Sequence, residues 1–207
     1  MQAERTMMEW ENSKKNKLMS TIQNKVNLAA FEGSNFDKGA GRIKTIVWYF
    51  VNAFFVRASW NPFISPKIAV LRLFGARIGK GLVLKNNVVI KSPWNITIGD
   101  NCWIGEGCWI DNIDKVCIED NVCISQGALL LTGNHDYTKP SMPYRNAPIT
   151  LKSGVWIGAQ SVVCPGVTAE NNSILTVGSV ATKNMEANGI YQGNPAKMVR
   201  TRVITTV

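Results

Sequence analysis

Aliphatic residues recur at every sixth position through the middle of this 207-residue chain. The series runs Ile78, Leu84, Ile90, then Ile98, Ile104, Ile110, then Ile118, Ile124, Leu130, and after an interruption Ile157, Val163, Ala169, Leu175, Ala181. All fourteen positions are aliphatic or Ala. An α-helix repeats near 3.6 residues and a half-buried strand near 2, so neither template yields a sustained six. The residue four places on is usually small or β-branched: Val88, Cys102, Cys108, Val122, Ala128, Ser161, Val167, Ser173, Ser179. Gly or an acidic residue often follows the aliphatic one directly, as in IGDNCW, IGEGCW, IEDNVC and IGAQSV. A fixed long period of this kind is the mark of a solenoid.

One hexad is a short strand plus a turn, with the aliphatic side chain inward and the small one beside it at the corner. Three hexads close a triangular coil, and a single coil cannot bury its own interior, so stability must come from stacking. Two-residue insertions between Ile90 and Ile98 and between Ile110 and Ile118 place the coil starts 78, 98 and 118 twenty apart. The insertions are therefore expected at one corner. Five cysteines, at 102, 108, 117, 123 and 164, fall on or beside this lattice. With no C-x-x-C pair and a single histidine, they read as packing residues of a reducing compartment and not as metal ligands or bridges.

That histidine, His135, lies in TGNHDY, among turn formers. The coils break between Leu131 and Ile149, where the chain carries three prolines. A loop of this length inside a compact solenoid is more often functional than idle.

Charge divides the chain unevenly. Residues 1–80 hold 13 Lys/Arg against 5 Asp/Glu, whereas residues 81–207 hold 10 against 9. A basic end suits a nucleic acid or an anionic membrane, but no RNP, KH or zinc-finger signature is present, which argues against nucleic acid. Residues 1–40 are polar. The stretch IVWYFVNAFFV, 46–56, has ten apolar residues among eleven, between Lys44 and Arg57. At roughly 16 Å of helix it is too short for a bilayer core of about 30 Å. Two readings stand: a cover for the open end of the first coil, or a peripheral contact with an anionic membrane surface. No secretory leader is read at the N-terminus, so the expected compartment is the cytoplasm, at the inner face of the membrane in the second reading.

The repeats, with LRLFGARIGKGLVL, CISQGALLLTGNHDY and YQGNPAKMVR, resemble the hexapeptide-repeat O-acetyltransferases, in particular the colanic-acid-biosynthesis type of exopolysaccharide acetyltransferase. Galactoside and maltose acetyltransferases are more distant. The resemblance, over about residues 72–201, implies an all-β, left-handed parallel β-helix, the exception to the right-handed crossover rule. The expected organisation is a basic, partly helical appendage (1–72), a β-helix acyltransferase domain (73–190) with an inserted loop at 131–149, and a C-terminal exit segment (191–207).

The resemblance also implies an activity: transfer of acetyl from acetyl-CoA to a hydroxyl of a sugar or glycan, in a homotrimer and without a metal. It makes His135 the general base. It places the donor along Trp156, Ala159, Val177, Thr182, Lys183, Lys197 and Arg200, where the basic side chains would meet phosphate and Ala159 and Val177 would offer main-chain groups. Acceptor contacts are expected from Asp111, Asn112 and Asp114 in the stacked insertion, with Asn134 and Asp136 beside the histidine; turn formation accounts for the same residue types. Where galactoside acetyltransferases hold an acceptor-binding Asn and Asp, this sequence reads Gly105 and Ile113, which argues against a galactoside-like acceptor.

No Ser, Cys or Asp stands in a nucleophile motif, so transfer is expected to be direct, in a ternary complex. A γ-type carbonic anhydrase needs three metal-binding histidines, and a serine acetyltransferase a second histidine and a helical N-terminal domain. A non-catalytic hexapeptide scaffold would explain the coils but not the coincidence of the histidine loop with the CoA-end residues.

Overall fold

The computed structural model describes residues 2–23, 25–33, 36–58 and 63–205. Among the described residues three α-helices precede the coils: α1 (Gln2–Gln23), α2 (Arg42–Val51), prolonged by a wider π-helical turn (Asn52–Val56), and α3 (Ile64–Leu73). Two-residue and three-residue strands then follow one another along the chain. The first coil is β1 (Arg77–Ile78), β2 (Val83–Leu84) and β3 (Val89–Ile90). The second is β4 (Ile96–Ile98), β5 (Trp103–Ile104) and β6 (Trp109–Asp111), and the third β7 (Val116–Ile118), β8 (Cys123–Ile124) and β9 (Leu129–Leu131). The fourth is β10 (Ile149–Leu151), β11 (Trp156–Ile157) and β12 (Val162–Val163), the fifth β13 (Thr168–Ala169), β14 (Ile174–Leu175) and β15 (Val180–Ala181). A hairpin, β16 (Gly189–Gly193) and β17 (Ala196–Thr201), ends the stack.

Corresponding strands pair in parallel and make three sheets, β1-β4-β7-β10-β13, β2-β5-β8-β11-β14-β16-β17 and β3-β6-β9-β12-β15. This is the solenoid that the six-residue period implies, and the left-handed β-helix that the family resemblance implies. Register pairs Arg77 with Thr97 and Thr97 with Cys117, so the twenty-residue spacing holds and the two-residue insertions stack at the corner between the third and first sheets. Cys117 then pairs with Thr150 and Thr150 with Thr168, so the long loop is a larger insertion at that same corner.

Inside, the lattice residues stack as columns. Ile98 lies on Ile118 and Ile118 on Leu151; Ile104 lies on Ile124 and Ile124 on Ile157; Ile110 lies on Leu130 and Leu130 on Val163. All are buried. The period thus resumes at Leu151, one hexad earlier than the sequence series placed it. The small residues fill the corners, and burial pushes the Cys108 thiol up to about 11, as expected of a packing cysteine.

The turns follow the period of the core. A left-handed φ occurs three residues after most inward aliphatics, at Gly81, Asn87, Asn101, Gly107, Asn121, Gly127, Gly154, Gln160, Gly166, Asn172 and Gly178; the exceptions follow Ile90, Ile110 and Leu130, where the insertions lie, and Ala181 at the end of the stack. Gly and Asn dominate because they tolerate that conformation best. The Gly of the IG pairs answers a different need: a Cβ on Gly105 would meet Gln126 N at 2.5 Å, and one on Gly158 would meet Val177 N at 2.6 Å. Coils approach too closely there for any side chain.

Both ends of the stack are closed. On the α2 segment Trp48 and Val56 are buried with the first coil, and Trp48 Nε1 donates to Ile90 O at 3.0 Å. Leu71 of α3 is buried in the same cluster, and Lys67, also buried, donates to Asn86 Oδ1 at 2.9 Å, its pKa lowered by burial. At the other end the columns shrink to Ala169 and Ala181, and Met185 and Tyr191 fill the space. Arg202 Nη1 ties the exit segment to the corners through Gly154 O (3.0 Å) and Asn172 O (3.1 Å).

The chain divides into two compact units. One joins the described residues up to Phe36 with His135–Arg145, and the other holds Asp37–Asn134 and Asn146–Val207. Residues 37–72 therefore group with the coils, and the histidine loop with the first residues of the chain.

Because each column residue touches the coils before and after it, truncating one should affect the whole stack. Ile124→Ala is expected to lower the unfolding free energy by about 2–5 kcal/mol, read by urea denaturation.

Candidate active site

His135 sits in a small turned-back loop. An antiparallel bridge pairs it with Tyr144, and Asp136 N donates to Pro143 O at 2.8 Å. The imidazole stacks on the Tyr144 ring at 5.0 Å between centroids, 27° between planes, and Phe31 closes on it at 5.8 Å. Phe31 and Phe36 both meet Tyr144 edge-on. Asn27 N donates to Pro140 O at 2.8 Å, so main chain at Asn27 as well as the rings of Phe31 and Phe36 meets this loop.

His135 Nδ1 lies 2.7 Å from Met142 O. A carbonyl can only accept, so Nδ1 carries the proton in the neutral ring and the lone pair is on Nε2. Met142 itself holds φ at 44°, in the left-handed region that a residue with a Cβ adopts at some cost. The turn that offers its carbonyl to the histidine is thus a strained one, held by its surroundings. Tyr144, Phe31 and Met142 were not singled out in the sequence; only the loop's unusual proline content marks this neighbourhood.

Asp136 is committed to the loop. Its carboxylate accepts from Thr138 Oγ1 at 2.5 Å and Thr138 N at 3.2 Å, and Lys139 Nζ is 3.7 Å away. Chiefly through the Thr138 hydroxyl, its pKa falls below the usual carboxylate range.

In the other unit, the outer surface of the second sheet carries a groove. One concavity of about 530 Å³ is lined by Ser125, Gln126, Trp156, Ala159, Val177 and Arg200 among others. A second, of about 580 Å³, shares Ser125 and Gln126 and runs on past Lys85, Trp103 and Glu106. Trp156 Nε1 donates to Ser125 Oγ at 2.9 Å, which orients the indole along the groove. Four of the seven expected donor residues, Trp156, Ala159, Val177 and Arg200, come together here. Thr182 and Lys183 follow β15 at the third corner, and Lys197 pairs with Gln192 on the hairpin; all three are exposed. Ser125 and Gln126 escaped the sequence reading because they look like ordinary turn residues.

The corner at the base of the loop is tightly braced. Thr132 is buried, its hydroxyl donating to Asp111 O at 2.9 Å and accepting from Asp114 N at 3.0 Å. A Cβ on Gly133 would meet Ile113 Cδ1 at 2.8 Å, so a larger residue there would have to displace the end of that side chain. Asp111 pairs with Lys91 at 2.6 Å, and Asp114 Oδ1 accepts from Lys115 N at 2.6 Å. Asn112, also expected among the acceptor contacts, faces the neighbouring coil. It is fully buried, accepts from Ser92 N (2.9 Å) and donates to Ser92 O (2.6 Å), and so braces one coil on the next. Asn134 is exposed, and its N–H donates to Asn146 Oδ1 at 3.3 Å.

The coils are those of a hexapeptide-repeat acetyltransferase. A solved enzyme of that description from Vibrio cholerae O1 biovar eltor, complexed with acetyl-CoA, superposes with a TM-score of 0.72 at 21% identity, over 84% of this chain and 96% of that one. A galactoside acetyltransferase in complex with coenzyme A gives 0.71 at 23%, over 81% and 84%. In sequence the chain is 32% identical over 180 residues to the putative colanic acid biosynthesis acetyltransferase WcaF of Escherichia coli K12, covering 86% of this chain and 98% of that protein. This chain belongs to that acetyltransferase family. The galactoside O-acetyltransferase of the same organism is 29% identical over 153 residues, 72% of this chain and 66% of that protein. No family model matches the chain.

The Asp136 contacts set a pH dependence. A carboxylate whose folded pKa is depressed stabilises its surroundings above the unfolded value and loses that effect as pH falls through the folded one. Protection of the Thr138 amide against hydrogen exchange is expected to persist at neutral pH, to fall only below the ordinary carboxylate range, and to be weakened at neutral pH in Asp136→Asn.

Proposed function

We propose that this protein transfers an acetyl group from acetyl-CoA to a hydroxyl of a sugar or glycan, in the building of an exopolysaccharide or other surface glycan. The observation that carries the chemistry is the Nδ1–H bond to the Met142 carbonyl, which puts the basic lone pair on Nε2. The family relationship supplies the reaction class, and the acetyl-CoA and coenzyme A held by structural neighbours supply the donor by analogy.

The acceptor oxygen attacks the thioester carbonyl carbon as His135 Nε2 takes its proton. A tetrahedral oxyanion forms and would be met by backbone N–H from the coil after the loop, residues 153–159. Collapse breaks the C–S bond and releases the CoA thiolate, to which the imidazolium returns the proton. No covalent enzyme intermediate is needed, because thiolate is already a good leaving group. The imidazolium would be steadied by the Met142 carbonyl and the face of Tyr144.

The donor would lie in the groove, its pantetheine arm along Ala159 and Val177 beside Trp156, with Arg200 toward phosphate. Thr182, Lys183 and Lys197 lie away from that groove on the same chain. We assign them to the donor across a subunit boundary, in a homotrimer whose sites lie between neighbours. Asn134, with Asp111, Asp114 and Asp136 through whatever hydrogen-bonding capacity their loop and corner contacts leave, would line the acceptor side.

His135→Ala is expected to lower kcat by about 10² to 10⁴, the usual contribution of a general base, with acetyl-CoA affinity by calorimetry little changed. Turnover at the wild-type rate would remove the histidine from the chemistry. Sedimentation equilibrium is expected to give about three times the chain mass, and a monomer that turns over acetyl-CoA would refute the shared site.

A further inference from the structure

The α2 segment has two apolar faces. Trp48 and Val56, with partly buried Val51 and Phe55, form the one that covers the first coil. On the opposite side Ile43, Ile46, Val47, Phe50 and Phe54 follow one another at i, i+3, i+4, i+7 and i+11, and they are 81, 58, 45, 54 and 69% exposed. A surface helix ordinarily turns polar residues outward, and a helix apolar on every side is normally covered.

Charge indicates by what. Between Asp37 and Asp100 the sequence has no acidic residue and ten basic ones: Lys38, Arg42, Lys44, Arg57, Lys67, Arg72, Arg77, Lys80, Lys85 and Lys91. All but Lys67 are exposed. Arg42 and Lys44 lie one residue to each side of Ile43, hence about 100° to either flank of the stripe, and Arg57 stands just beyond its end. Lys44 Nζ also lies 5.2 Å from the Trp94 ring centroid. An apolar stripe with cations along its edges suits the boundary between anionic headgroups and acyl chains, where Lys and Arg stems can reach outward to the headgroups. Two copies meeting through this face would bring uncompensated positive charge together, which opposes self-association there. The segment Arg42–Val56 is about 22 Å long as a helix, too short to cross a bilayer core of about 30 Å, so it would lie along the surface.

We propose that this outward face docks the protein on an anionic bilayer surface, with Ile43, Ile46, Val47, Phe50 and Phe54 at the acyl boundary and the flanking Arg and Lys on the headgroups. The test is co-sedimentation of the full chain with phosphatidylcholine vesicles with and without about one third phosphatidylglycerol. Binding should require phosphatidylglycerol and weaken in high salt, because the electrostatic part is screened. Phe50→Glu with Phe54→Glu should weaken it at least about tenfold, the order expected for withdrawing phenylalanine from an apolar phase. Arg42→Gln with Lys44→Gln should remove most of the phosphatidylglycerol preference and leave the core untouched, a second readout should the glutamate pair fold poorly. Sedimentation mass and turnover on a water-soluble acceptor should stay as in the wild type for both pairs. Failure of the wild type to bind the anionic vesicles, undiminished binding by both pairs, or a loss of subunit association in the glutamate pair, marking the stripe as a subunit contact, would each overturn the proposal.

Discussion

The architecture depends on one repeated contact, an inward aliphatic side chain resting on its equivalent in the next coil. No coil can exclude water from its own interior, so every column residue is stable only because two neighbours cover it. The contact fixes the strand length, because two or three residues per side are all that a triangle of this size can hold. It also fixes the turns: to point the next aliphatic inward the chain must reverse at each corner within a few residues, which is why a left-handed φ recurs three residues after the column position wherever a corner carries no insertion and another coil follows. Core and turns therefore share one period for one geometric reason.

The same constraint decides where variation is allowed. Adding residues along a side would throw every later column out of phase, whereas adding them at a corner leaves the register intact. Two-residue insertions and the long histidine loop both occur at the corner between the third and first sheets, and strand pairing resumes beyond them in register. That corner needs its own braces, supplied by the buried Asn112 on Ser92 and Thr132 on Asp111. Polar residues at a corner rich in Asn and Asp thus serve two needs, holding the insertion and facing outward. Their types alone cannot separate the two.

That is also where legibility in the sequence stopped. The column residues declared themselves because a sustained six-residue period fits neither a helix nor a simple strand, and His135 stood out as the one imidazole of the sequence, on a long loop. Leu151 was lost because the long loop reset the count, although Ile157 implies an aliphatic six residues earlier. The recurrent Asn and Gly at 101, 107, 121 and 127 were present in the sequence as a second lattice and could have confirmed the first. The burial of Asn112 was not legible, because burial depends on which side of the chain faces the neighbouring coil. Phe31 and Tyr144 lie more than a hundred residues apart, and nothing local tells either that it will share a histidine.

The apolar stretch 46–56 shows how two readings of a sequence can be complementary. Read as a run of ten apolar residues among eleven it supports either a cover for the first coil or a surface contact, and the two look like rivals. Read with a helical period it divides. Trp48, Val51, Phe55 and Val56 turn inward and close the solenoid end, where Trp48 also satisfies the Ile90 carbonyl. Ile43, Ile46, Val47, Phe50 and Phe54 turn outward. A cap needs only one apolar side, so the cap accounts for the first set and leaves the second without a structural reason. The cost of exposing five large apolar side chains in a segment otherwise free to vary is what makes that second face informative.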